Sequence, residues 1–357
     1  MKHIDEINKP IKDYFKILSP DFPDWLNDYI ETKQMIKQKY ISVTCGKIYA
    51  KLFNYREYSS LDHSIAVALI IWHFTHDKKQ TLSGLFHDIA TPAFKHCVDF
   101  LNGDYMNQES TEELTKLFIQ DSKDIMELLK RDNIKIEEVC DYHMYPIADN
   151  DTPMLSADRL EYSLSNDLIV FKTNTLEETK EIYNDIEVQT NKDGIIELGF
   201  KTKKIARKFV KNTSRLSVCY RDDATRFFMQ AIADIIKKVS EDGLISKKGL
   251  YELKEKEVIG IIKKSRYGDA FNKLISVSKV NTSKEEPKGV YYVKHGAKIR
   301  YIDPIVNGNR ISKECKIAQK MIEKNLSYNM DNYVYLDNSM NILKQFESLG
   351  SDIDRRK

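Results

Sequence analysis

The run IAVALIIW at positions 65–72 carries no charged residue. At helical spacing Ile65, Leu69 and Trp72 fill one face while Ala68 and Ile71 fill the next, so the helix is apolar nearly all round. Such a helix belongs in the middle of a bundle. It is also far shorter than the roughly 20 apolar residues needed to span a bilayer. It opens with Ser60-Leu61-Asp62-His63-Ser64, which carries a histidine to the edge of the core. The pattern recurs in TLSGLFHDIATPAFKH, where an apolar Leu82, Leu85 and Phe86 face runs into His87-Asp88, with His96 eight residues on. Burying an imidazole and a carboxylate without a partner is costly. A divalent metal ion satisfies both.

At 357 residues the chain is long enough for one large domain or two ordinary ones. A hydrophobic content of 41% with 31% charged residues is that of a soluble globular protein, and 13 glycines and 8 prolines argue against a linker-rich chain. MKHIDEINKPIKDYF at the N-terminus lacks the apolar centre of a signal peptide, so a cytoplasmic protein without a membrane segment is expected. Cysteines at 45, 97, 140, 219 and 315 are odd in number and lack CxxC spacing, which fits reduced thiols. A net charge of +2 does not indicate nucleic-acid binding.

Along the chain the expected fold is mainly α, with small β-hairpin additions in the C-terminal half. Residues 1–58 read as two or three helices packing on the core, with Asp24 a cap for a helix carrying Trp25, Tyr29 and Ile36. Residues 59–170 form the helical core. Leu114, Leu117, Phe118, Ile125, Leu128 and Leu129 recur at helical spacing, a short helix begins at Ile136, and the polar 148–153 stretch is a loop. Residues 171–280 add a hairpin, with strands about Ile186–Val188 and Ile195–Leu198 around Asn191–Gly194, then long helices over about 203–239 and 251–264. Residues 281–357 are a small α/β region with a second hairpin, Gly289–Val293 with Lys298–Ile302.

Three separated blocks, YSSLDHS, LFHDIATPAFKH and ADRLEY, give the order His63, His87-Asp88, Asp158. This order resembles the HD-domain phosphohydrolase superfamily, most closely its deoxynucleoside triphosphate triphosphohydrolase branch, over about residues 55–170. The resemblance implies an HD-domain helical bundle in which His63, His87, Asp88 and Asp158 bind one divalent metal ion. Mixed nitrogen and oxygen ligation suits Mn, Fe, Zn or Co, with Mg also usable. It implies hydrolysis of a dNTP to deoxynucleoside and triphosphate, and a homo-oligomer with a possible nucleotide activator.

The triphosphohydrolases read HDxGHxPxSH where this chain reads HDIATPAFKH. His96 matches the last histidine and is the candidate proton donor, whereas Thr91 stands where another histidine is usual. Gln108-Glu109 stands at a common His-Glu pair, leaving Glu109 as a second catalytic candidate, with His143 a further one. Arg159 and Tyr162 match the phosphate-binding base and the tyrosine beside the sugar; with Asp158 they share one broad helical face. Asn166 falls where a carboxylate commonly receives the sugar hydroxyl, and an amide can both donate and accept. Lys203, Arg207 and Lys211 form a stripe read as a solvated face, with an anion site for a nucleotide or nucleic acid as the alternative, and Arg215, Tyr220, Arg221 and Arg226 are candidate triphosphate contacts. His73 and His76 lie at the far end of the His63 helix and read as surface or packing residues. Two other readings stay open: a phosphohydrolase for nucleoside monophosphates or cyclic nucleotides, and a degenerate module that binds nucleotide or a protein partner in a regulatory role.

Overall fold

The computed structural model describes residues 2–106 and 114–336. The chain is mainly helical, with small strands confined to its C-terminal half. Its centre is α1 (Ser60–Thr75), in which every residue from Ser60 to Ile71 is buried. Ser59 starts this helix with a capping box: its hydroxyl accepts from the Asp62 amide, and the Asp62 carboxylate accepts in return. His76 ends it in a left-handed conformation. The helix α2 (Lys78–Phe86) turns back against α1, capped by Asp77, whose carboxylate accepts from the amides of Lys79 and Gln80. Close approach of the two helices is possible because Gly84 has no Cβ; one would lie 2.2 Å from Ile71 Cδ1. Then α3 (Ala157–Ser165) crosses α1, started by Ser156 and continued by a π turn over Asn166–Val170.

The first expected hairpin is present as β1 (Ile186–Thr190) and β2 (Ile196–Phe200), paired antiparallel. Its turn needs a positive φ, supplied by Gly194, and Asn191 Oδ1 accepts from the amides of Asp193 and Ile195. The second expected hairpin is not formed. Of its halves, Tyr292–Val293 pairs instead with Tyr333–Tyr335, which also pairs with Asn281–Ser283, and 298–302 is not a strand. A further short pair, Ile305–Val306 with Asn309–Arg310, joins the first hairpin through a parallel contact with β2. Arg310 clamps it there by a bidentate ion pair of 2.7 Å with the buried Glu197.

Several helices are shorter than their periodicity suggests. The N-terminal segment carrying Trp25, Tyr29 and Ile36 is two helices, Leu26–Ile30 and Lys33–Gln38. The segment through 136–145 forms two 3-10 turns. What reads as one helix over 203–239 is α4 (Lys203–Cys219) and α5 (Asp223–Glu241), because Asp222 caps a new start by accepting from the Thr225 amide. The 251–264 segment likewise divides, into Lys247–Glu252 and Glu255–Lys264.

Two hydrophobic clusters result, one around α1 and one around α5. The chain passes from the first to the second within one loop: Ile89 and Ala90 belong to the α1 cluster, Ala93, Phe94 and Cys97 to the other. The five cysteines are free. Among the described residues no helix is long and apolar enough to cross a membrane.

Candidate metal centre

His63 stands on the first turn of α1, His87 caps the C-terminus of α2, Asp88 follows it, and Asp158 lies on the first turn of α3. Their side chains meet. His63 Nε2 lies 3.2 Å from His87 Nε2 and 3.2 Å from Asp158 Oδ1. Asp88 Oδ2 is 3.8 Å from His63 Nε2 and 3.7 Å from His87 Nε2, and Asp158 Oδ1 is 3.8 Å from His87 Nε2. The His63, His87 and Asp88 donor atoms lie within 4.8 Å of one another, close enough to hold a metal ion.

The other nitrogens of the two rings decide what the cluster wants. His63 Nδ1 faces the carboxylate of Glu161, and His87 Nδ1 faces the Gly84 carbonyl at 2.7 Å. Both acceptors favour a proton on Nδ1, which in the neutral rings turns both Nε2 lone pairs toward each other and the two carboxylates. A bound positive charge, metal ion or proton, relieves that repulsion. Bonds of about 2.0–2.2 Å to a common ion put neighbouring donors roughly 3 Å or a little more apart, which the observed spacing matches. The residues therefore fit a divalent metal ion.

Without one, a proton takes its place. Burial works against charge on His63, yet Glu161 and Asp158 raise its pKa to about 10. Burial likewise opposes ionisation of Asp158, but His63 lowers its pKa to about 2. Asp88 is held well below the usual carboxylate range, against its burial, by Lys95 and the two imidazoles.

Glu161 escaped the sequence reading although it sits in ADRLEY three residues after Asp158, a spacing that returns to the same helix face. It is fully buried and accepts from Tyr58 (2.8 Å), Tyr14 (3.4 Å) and Ser165 (3.3 Å) besides facing His63. Lys95 was also missed: its Nζ is 2.6 Å from Asp88 Oδ2.

The cluster opens into a cavity of about 410 Å³. His96, Arg159, Tyr162 and Asn166 all line it, as does His143. His96 Nδ1 is held by the buried Asp99 at 2.8 Å. Burial lowers the pKa of His96, opposed by Asp99 and assisted by Arg300 and Lys95. Arg159 Nη1 donates to Asn150 Oδ1 at 2.7 Å and lies 3.1 Å from Asp149 Oδ1. Burial pushes Tyr162 up to about 12. Asn166 Nδ2 donates to the Tyr162 carbonyl at 2.6 Å, so part of its amide is used within its own helix. His143 is exposed, between Asp141 (3.0 Å) and Asp149 (3.4 Å). Glu109, like Gln108, lies outside the described residues. Thr91 is buried but does not line the cavity; its carbonyl accepts from Lys37 at 2.7 Å.

Lys47, Lys298 and Arg300 complete the wall, together with the ring of Tyr220, whose hydroxyl has no hydrogen-bond partner among the described residues. The two C-terminal cations were assigned from sequence to a strand that does not form. Of the arginines expected to meet phosphates, Arg215 pairs with Asp167, Arg221 is buried against Asn325, and Arg226 against Asp223 and the His295 carbonyl. None lines the cavity. Lys203, Arg207 and Lys211 are exposed, and His73 and His76 are exposed at the far end of α1.

A mainly helical fold with two histidines and two carboxylates converging at the floor of a cation-walled cavity defines the molecule. No family model and no curated protein matches the chain. Among solved structures, a hypothetical protein from Aquifex aeolicus, known at 2.0 Å resolution, superposes with a TM-score of 0.60 at 14% identity. The match covers 92% of this chain and 95% of that one. A phosphohydrolase from Bacteroides thetaiotaomicron superposes with a TM-score of 0.59 at 12% identity, covering 88% of this chain and 96% of its own. The chain shares its fold with both.

Proposed function

We propose that the chain is a metal-dependent phosphohydrolase of the HD type acting on a nucleotide, and that its reaction converts a dNTP to deoxynucleoside and triphosphate. The observation that carries this reading is the meeting of two imidazole Nε2 atoms and two carboxylates at a cavity walled by cations and tyrosines. The fold shared with a phosphohydrolase supports it. A divalent ion held by His63, His87, Asp88 and Asp158 would polarise a phosphoryl oxygen and ease the deprotonation of water.

The protein's own residues divide the remaining work. Arg159, Lys47 and Arg300 neutralise the phosphate chain, and Tyr162 packs against the sugar, with Asn166 to meet its hydroxyl groups. His96, anchored through Nδ1, gives a proton to the leaving 5′ oxygen. A polyanion beside Lys95 and Arg300 offsets the smaller part of the lowering of His96 that those two cations contribute, while burial, the larger cause, remains.

The test is metal analysis of the purified protein followed by a nucleotide panel with product identification. Intact triphosphate supports the reaction given; orthophosphate moves it to nucleoside monophosphates or another phosphate ester. Asp88→Ala should lose metal and hydrolysis together, while His73→Ala keeps both. His96→Ala should lower turnover by roughly 10²–10⁴ with little effect on binding. Metal-loaded protein that turns over no nucleotide would instead be a regulatory binding module, the reading that the loss of a histidine at Thr91 favours.

A further inference from the structure

The loop after His87-Asp88 is held from several sides. Gln38 Nε2 donates to the Ile89 carbonyl at 2.6 Å and Lys37 Nζ to that of Thr91 at 2.7 Å. The Ala93 amide donates to the Leu250 carbonyl at 2.9 Å, and the Phe94 amide to the Glu255 carboxylate at 3.2 Å. The Phe94 ring covers Gly46, where a Cβ would come within 2.6 Å of it. Inside this clamp Phe94 and Lys95 both take left-handed backbone conformations, with φ of 67° and 43°. That region is disfavoured for residues with a Cβ, and two in succession persist only because the surroundings hold them.

The clamp positions the Lys95 side chain at the cavity, where the residue is only 8% exposed. Its Nζ is 2.6 Å from Asp88 Oδ2 and 3.5 Å from Ser60 Oγ. An ammonium has three N–H groups, so these contacts leave one without a partner among the described residues. A buried ion pair with an unused donor adds little to stability. A cation fixed at a cavity wall with a donor to spare is instead suited to an incoming anion, with no reorganisation left to do.

We propose that Lys95 is a catalytic residue: its ammonium donates to a non-bridging oxygen of the phosphate under attack, while its contact with Asp88 holds it in place. The inference rests on the phosphohydrolase reading of the site. Lys95 keeps its three protons throughout, and no covalent bond to it is made or broken. Its role is to hold negative charge at the reacting phosphate beside the ion-binding cluster, from a position the sequence presents only as one lysine among many.

The test uses the full chain loaded with Mn²⁺ and compares wild type, Lys95→Met and Lys95→Arg in metal content, affinity for inorganic tripolyphosphate and steady-state kinetics. Lys95→Met should keep its metal, lose roughly 10²–10³ in kcat, and bind tripolyphosphate roughly tenfold more weakly or worse. Lys95→Arg should recover part of that affinity because the charge returns. Wild-type kcat and tripolyphosphate affinity in Lys95→Met would overturn the assignment, and so would loss of the metal, which would make Lys95 a support for the cluster. Should Lys95→Met not fold, Lys95→Gln against Lys95→Arg makes the same comparison of charge. If the wild type hydrolyses no nucleotide, the hydrolase reading fails by itself, and tripolyphosphate affinity still decides whether Lys95 takes phosphate.

Discussion

His63 turns one nitrogen to Glu161 and the other to the cluster, so the state of the ring is set from both sides, by Glu161 behind it and by Asp158 in the cluster. Glu161→Gln replaces an obligate acceptor by a group that can also donate, and the imidazole loses the partner that fixes its tautomer. Metal affinity should fall by roughly 10–100-fold while the ligand set stays intact; a metal titration giving the wild-type constant would contradict this. A second residue-scale effect concerns Glu255, which accepts from the loop amide of Phe94. Burial pushes Glu255 from 4.5 up to about 7, against the pull of that amide, Tyr49 and Lys37. Between those values the folded chain binds a proton that the unfolded chain does not, so stability falls as pH rises through the window. Glu255→Gln should flatten that fall, which amounts to about 3 kcal/mol over the full interval. Burial lowers Lys37 from 10.5 to about 7, and its contribution has the opposite sense: stability rises from about 7 to 10.5. Denaturant unfolding across this pH range, with identical slopes in wild type and Glu255→Gln, would rule the Glu255 effect out.

At the scale of the elements, contact between α1 and α2 sets the distance between the two histidines. Gly84 is where they touch, and its carbonyl also receives His87 Nδ1. Gly84→Val would press on Ile71 Cδ1 and Val67 Cγ1, displacing α2 at a cost of about 1–3 kcal/mol. Metal affinity should drop with stability, because His87 moves with its helix; a denaturation curve and a metal titration together check the coupling. What the sequence disclosed about such elements follows how local their causes are. The apolar 65–72 run of α1 and the β1–β2 hairpin lie in short self-contained patterns and could be read directly, whereas the set His63, His87, Asp88 and Asp158 rested on the resemblance of three separated blocks. The partner of Tyr292–Val293 is Tyr333–Tyr335, far along the chain, so the nearer segment 298–302 was an available but wrong choice. The break between α4 and α5 was hidden for a different reason: the apolar period continues across Asp222 even though its side chain starts a new helix. Lys47, Lys298 and Arg300 belong to no motif, so nothing local marks them as neighbours of His63.

For the molecule as a whole, the cavity follows the line along which the α1 cluster and the α5 cluster meet. Asp88 and His87 stand on one side; Phe94, inserted beneath Gly46, anchors the other. The loop between them is one of several short crossings of that line, and Lys95 reaches back over it to Asp88. Amide hydrogen exchange tests whether each cluster opens as its own cooperative unit. In the empty protein, amides of α1 and α5 should exchange with different protection. Tripolyphosphate spanning the cavity, held by groups from both sides, should draw the two toward a common, slower rate, while Lys95→Met, with one connection fewer, should leave them apart. The lysine that faces the anion would then also be the thread by which an occupied site makes two separately breathing halves behave as one.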